Sequence, residues 1–200
     1  MLNVFEGAGW FLLPLGLCST MAIFIMVERL IALRSSRVIP HRMIHKFVKG
    51  EILNEPGDQA SVAGRILAFF HSNRPDPDAL KAFATLETTR LERGLFILEI
   101  VIGAAPLLGL LGTVTGLMQV FSGLNVDSGV PDPATFVRGI AMALGTTMLG
   151  LVIAIPALVG NAYLNRRVEM LSARINVGVE RLIDLAKKSK PQSTEAKLEV

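Results

Sequence analysis

Three stretches of this chain carry no ionised side chain: Gly7 to Val27, Ile100 to Val126 and Gly139 to Asn165, of 21, 27 and 27 residues. About 20 apolar residues cross the hydrocarbon core of a bilayer. A charge at the centre of such a helix costs roughly 2.5 to 3.5 kcal/mol. The constraint is therefore severe, and it predicts three membrane-spanning helices. Buried helices of a soluble core are the competing reading, but such helices rarely stay apolar on every face over so many turns.

Orientation follows from the basic residues. Eleven lie between Arg29 and Arg93, eight between Arg166 and Lys197, and one, Arg138, between the second and third apolar stretches. The positive-inside rule then places the N-terminus outside and the C-terminus inside. The first apolar run lacks a basic n-region and a small-residue cleavage site, so it reads as a retained signal anchor. The resulting fold class is an all-α polytopic membrane protein. Residues 1–33 form the N-terminal segment and first span, 34–93 a cytoplasmic helical segment, 94–122 the second span and 123–137 an external loop. Residues 138–163 form the third span, 164–189 a cytoplasmic amphipathic helix and 190–200 a disordered tail.

A net charge of +3 and a pI near 9.3 fit a membrane-facing cytoplasmic surface better than a nucleic-acid site. Cys18 is the only cysteine, which leaves no disulfide framework. His41 and His45 stand one helical turn apart but lack a third ligand with matching spacing, so no metal or other cofactor is expected. No catalytic constellation is visible, and the chain does not read as an enzyme.

Within the segment 34–93, breakers at Asn54 to Asp58 and Asn73 to Asp78 mark off short amphipathic helices around Met43 to Lys49 and Val62 to Phe70. Asp76 followed by Pro77 reads as a cap and a first helical residue. A helix unbroken from Pro77 to Ser122 would be about 69 Å long. In the tail, Leu164, Val168, Leu171, Ile175, Val179, Leu182 and Leu185 form a stripe that needs a partner helix.

Small residues line one face of the second span (Ala105, Gly109, Gly112, Gly116) and one of the third (Gly139, Ala143, Gly150, Ala154, Ala157). Such faces let backbones approach closely. Pro106 and Pro156 each free a carbonyl, of Ile102 and Val152, which in lipid must find a protein or water partner. Thr113, Thr146 and Thr147 place hydroxyls at similar depth. Each either bonds back to its own helix or lines a pathway.

The runs APLLGLLGTVTGLMQVF (Ala105 to Phe121) and GIAMALGTTMLGLVIAIPALV (Gly139 to Val159) resemble the second and third spans of the ExbB/TolQ/MotA family of proton-channel proteins, closest to ExbB and TolQ. Gly9 to Leu33 is similar to the first. The resemblance implies a bacterial inner-membrane subunit of a homo-oligomeric ring, usually a pentamer, around an ExbD/TolR-like single-span partner. A TonB/TolA-like protein would take up the work. The partner's aspartate would carry the ion, with Thr113 and Thr147 lining its surroundings and Thr146 a neighbouring candidate. Met142 stands where the family's best-known members carry a glutamate, so the titrating carboxylate must come from another polypeptide. Glu99 is either an exit-side group or an interfacial acid paired with Arg90, Arg93 or a neighbour's base. Arg138 either repels cations at the outer mouth or anchors to headgroups. A passive membrane scaffold and a flagellar-stator relative are the alternatives.

Overall fold

The computed structural model describes residues 9–34, 38–39, 61–122 and 133–189. His41, His45, the helix expected at Met43 to Lys49, most of the expected external loop and the tail 190–200 lie outside the described residues. Within them the chain is all-helical: α1 (Gly9–Ala32), α2 (Val62–Asn73), α3 (Pro77–Thr89), a 3-10 turn (Arg90–Glu92), α4 (Leu95–Ser122) and α5 (Pro133–Ser189). Segments containing α1, α4 and α5 are long and apolar enough to cross a membrane. Trp10, the chain's one tryptophan, lies in the first turn of α1 and is 80% exposed.

Two boundaries differ from the sequence expectation. The third apolar helix starts at Pro133 rather than at residue 138, so residues 133–137 are helix and not loop. Proline suits that first position because its missing N–H would have had no intrahelical partner. The long helix from Pro77 is also not continuous. It tightens into the 3-10 turn and breaks at Gly94, whose φ of +91° lies where L side chains are strained.

The chain divides into two compact units. One comprises Met1–Arg29 and Gly94–Tyr163 and holds the apolar stretches. In it, α4 buries Leu95, Leu98, Val101, Ala105, Gly109, Gly112, Gly116 and Val120, one stripe at steps of three and four. Leucines, valines and isoleucines on the other faces stay exposed in the single chain, as expected of a surface meant for lipid or for other helices.

The other unit comprises Leu30–Arg93 and Leu164–Val200. Ser61 caps α2, its hydroxyl accepting from the Gly64 amide at 3.0 Å. Asp76 caps α3 in the same way through Ala79 at 3.2 Å, with Pro77 as first helical residue, as the sequence predicts. Between them Arg74 adopts a left-handed φ of 41° and closes α2. The Phe69 and Phe83 rings stack at 4.1 Å between α2 and α3. Buried Glu87 of α3 accepts from Arg65 of α2 and from Arg90 of the 3-10 turn, at 2.6 Å in each ion pair.

The α5 stripe is buried from Leu164 to Leu182, while Leu185 is half-buried. Ile175, Val179 and Leu182 border an apolar groove together with Ile39, Ala63 and Ile66, so this part of the stripe looks onto α2. At the surface Lys81 bonds to Glu180 at 2.8 Å, and this bond holds the Lys81 ammonium above its ordinary value. A raised lysine stabilises the fold below its unfolded value of 10.5 and loses that contribution as pH climbs through the folded value. Stability of the wild type should therefore fall more steeply than that of Lys81→Met above pH 10.5, which alkaline thermal denaturation checks.

Candidate ion-pathway site

The α4 and α5 stripes meet backbone to backbone. A Cβ added to Gly109 would lie 2.9 Å from the Thr146 carbonyl oxygen, and one on Gly150 would lie 2.5 Å from that of Ala105. Gly116 lies against Gly139 and Ala143 in the same way. Real Cβ atoms do not approach this closely, so glycine at these positions sets the helix separation. Ala105, Ala143, Ala154 and Ala157 fill the same seam and are buried. With lipid on the outside there is no hydrophobic gain from pairing these helices, and tight packing has to supply the attraction.

The three threonines separate at this seam. Thr146 is 0% exposed and sits under Gly112, its hydroxyl donating to the carbonyls of Met142 and Ala143 at 3.1 and 3.0 Å. That is a packing position, and in the single chain the side chain reaches no open surface. Thr147, half-buried, instead crosses to the other helix and donates to the Gly109 carbonyl at 3.2 Å. In a regular α-helix that carbonyl also receives the amide of Thr113, so the Thr147 hydroxyl meets the turn that carries Thr113. Thr113 is half-buried and bonds back to Leu110 at 2.6 Å.

Two polar groups at membrane depth were missed in the sequence. Thr115, one residue beyond Val114, donates to Gly112 at 2.9 Å, so α4 carries two threonine hydroxyls and not one. The Thr-Val-Thr run was the signal for it. Asn161 is buried on α5, and only its place in the step of three and four from Ala154 and Ala157 could have marked it.

Glu99 and Arg138 are both exposed, and among the described residues neither has an ion pair. Arg90, one of the bases offered for Glu99, is engaged by Glu87. Met142 is buried. Pro106 is half-buried, whereas Pro156 and Val152 are exposed on the single chain. The carbonyl that Pro156 frees therefore belongs to a turn whose residues are exposed.

The sequence that builds this seam has counterparts among known proteins. The chain is 33% identical over 172 residues to an ExbB-like biopolymer transport protein of Synechocystis sp., covering 79% of this chain and 68% of that one. It is 37% identical over 100 residues to biopolymer transport protein ExbB of Helicobacter pylori, covering 49% and 68%. With biopolymer transport protein exbB1 of Vibrio cholerae it shares 26% identity over 181 residues, covering 81% and 78%. Residues 60–177 match the family model of MotA/TolQ/ExbB proton channels. On the family model over more than half of the chain and the similarity to the Synechocystis protein over most of it, the chain belongs to the MotA/TolQ/ExbB proton channel family.

Proposed function

We propose that this chain is the ring subunit of an ion-driven, energy-transducing complex of the ExbB/TolQ type in the bacterial inner membrane. Its N-terminus is outside and α2, α3 and the distal half of α5 are cytoplasmic. An ExbD/TolR-like single-span partner supplies the carboxylate that takes up and releases the ion, since α4 beyond Glu99 and α5 between Arg138 and Arg166 hold no acid. Thr113 and Thr147 face that carboxylate, while Thr146 packs. Work passes through the partner to a TonB/TolA-like protein and powers transport or another envelope process.

The observation that carries this reading is the Thr147 hydroxyl on the Gly109 carbonyl, half-buried at the level of Thr113. A hydroxyl in that position can turn from the carbonyl to a passing ion or carboxylate at small cost, because interhelical hydrogen bonds in membranes average about 0.6 kcal/mol. The exposed Val152–Pro156 turn adds support for a ring. A carbonyl without a donor is costly in hydrocarbon, and a neighbouring subunit or the central helices would cover it.

Moving one charge down the membrane potential releases about 2.3 kcal/mol per 100 mV. A protonated partner aspartate loses the penalty on passing an apolar wall, so uptake and release can be converted into displacement. The small-residue seam is already used between α4 and α5, which leaves the bulky apolar outer faces for neighbouring subunits, the partner helix and lipid.

Thr147→Val tests the assignment in proteoliposomes holding the complex with its single-span partner. Ion uptake driven by an imposed potential should drop at least tenfold, with assembly intact, and Thr147→Ser should restore it. Unchanged uptake in Thr147→Val would remove the threonine from the pathway. The passive-scaffold reading draws on the hydroxyls of Thr113 and Thr146 being satisfied within their own helices. It requires that the wild-type complex pass no ions at all.

A further inference from the structure

Two buried polar atoms in the unit containing the apolar stretches have no hydrogen-bond partner among the described residues: Nε of Arg29 and Oδ1 of Asn161. Asn161 is 8% exposed and the Arg29 side chain 14%. Native structures rarely leave such groups unpaired, because each costs roughly 1 to 3 kcal/mol. One is a donor and the other an acceptor, so either could satisfy the other through an intermediary.

Their positions can be traced from two independent sets of contacts. On α4 and α5, Ala105 lies against Gly150 and Gly109 against both Thr146 and Gly150. Carrying that antiparallel register eleven residues further brings Asn161 opposite Gly94. The facing stripes stay buried along the way, through Leu98 and Val101 on α4 and Ala154 and Ala157 on α5. On the α1 side, the Met26 sulfur packs on Gly160, the residue before Asn161. Arg29 lies one turn beyond Met26, and its guanidinium lies over Gly94, where an added Cβ would sit 3.0 Å from Nε. Both routes lead to the Gly94 turn.

We infer that one buried water beneath the Gly94 turn links α1 to the α4–α5 pair, accepting from Arg29 Nε–H and donating to Asn161 Oδ1. A direct bond between the two does not form, and a water is the smallest group that accepts from one and donates to the other. Buried waters make about three hydrogen bonds, and the backbone carbonyls near the Gly94 turn offer further acceptors. Gly94 is favoured by its positive φ, and a side chain there would press on the guanidinium. The site is a polar pin through three helices. It rests on packing within one chain and is independent of ion transport.

A double-mutant cycle on the full chain in its assembled, detergent-solubilised form tests it. Arg29→Met and Asn161→Leu should each lower the thermal midpoint by several degrees, and the double variant by no more than the larger single shift, since removing either partner already breaks the bridge. Shifts that add would overturn the link. Asn161→Asp supplies a longer-range partner for the guanidinium. It should be tolerated with Arg29 present and strongly destabilising in Arg29→Met, and equal effects in both backgrounds would count against the pin. A structure of the wild-type complex that shows waters should place one within hydrogen-bond reach of both atoms. A site with nothing between them would refute the inference even if every variant misfolds.

Discussion

Gly112→Ala is expected to destabilise the α4–α5 pair sharply, and Thr146→Gly to rescue it. An added methyl at position 112 would fall 2.5 Å from the Thr146 Cβ, an atom fixed to the backbone that no change of rotamer can move away. Overpacking of this kind costs about 1 to 3 kcal/mol. Thr146→Gly removes the obstacle at a helix-propensity cost of about 1 kcal/mol, because the hydroxyl it deletes serves only its own helix. Gly150→Ala makes the informative contrast. Its methyl would meet the Ala105 carbonyl at 2.5 Å, and no side-chain substitution can move a backbone atom out of the way. Thermal unfolding of the solubilised protein should therefore show a rescuable loss at 112 and an unrescuable one at 150. A Gly150→Ala protein as stable as wild type would mean that the helices stand further apart than described.

Glu87→Leu should loosen the short-helix unit by a comparable amount. The carboxylate is 1% exposed and holds Arg65 on one oxygen and Arg90 on the other. Breaking a fully buried pair by removing one partner costs about 3 to 5 kcal/mol. Here the arginines are 34% and 61% exposed and can rehydrate, which lowers the expected loss to about 2 kcal/mol. Amide exchange in α2 and α3 should then accelerate roughly thirtyfold, since 1.4 kcal/mol is a factor of ten. Arg90→Ala should do far less, because that side chain is mostly in water. Unchanged exchange in Glu87→Leu would show that the stacked phenylalanines and the caps hold the unit by themselves.

The apolar helices were legible because exclusion of charge is a one-dimensional property. Its limit appears at Arg138, which ends a charge-free window without ending a helix. The helix continues back to Pro133, where chain geometry and not polarity sets the start. At Gly94 nothing local tells whether a glycine inside a helical pattern keeps helical φ or turns positive. Thr146 and Thr147 show the same limit within the site. Adjacent residues on a helix point about 100° apart, so which one packs and which one crosses depends on where the partner helix lies. Glu87 with Arg65, and Arg29 over Gly94, pair residues separated by 22 and 65 positions. No periodicity could have joined them.

Trp10 gives the protein a built-in depth gauge. It is the chain's sole indole and stands exposed at the start of α1, where interfacial rings settle among lipid headgroups. Its native emission can therefore report, without any label, how far this end of the first helix sinks into a bilayer. The loss of that emission to lipids brominated at graded depths would give a distance along the membrane normal.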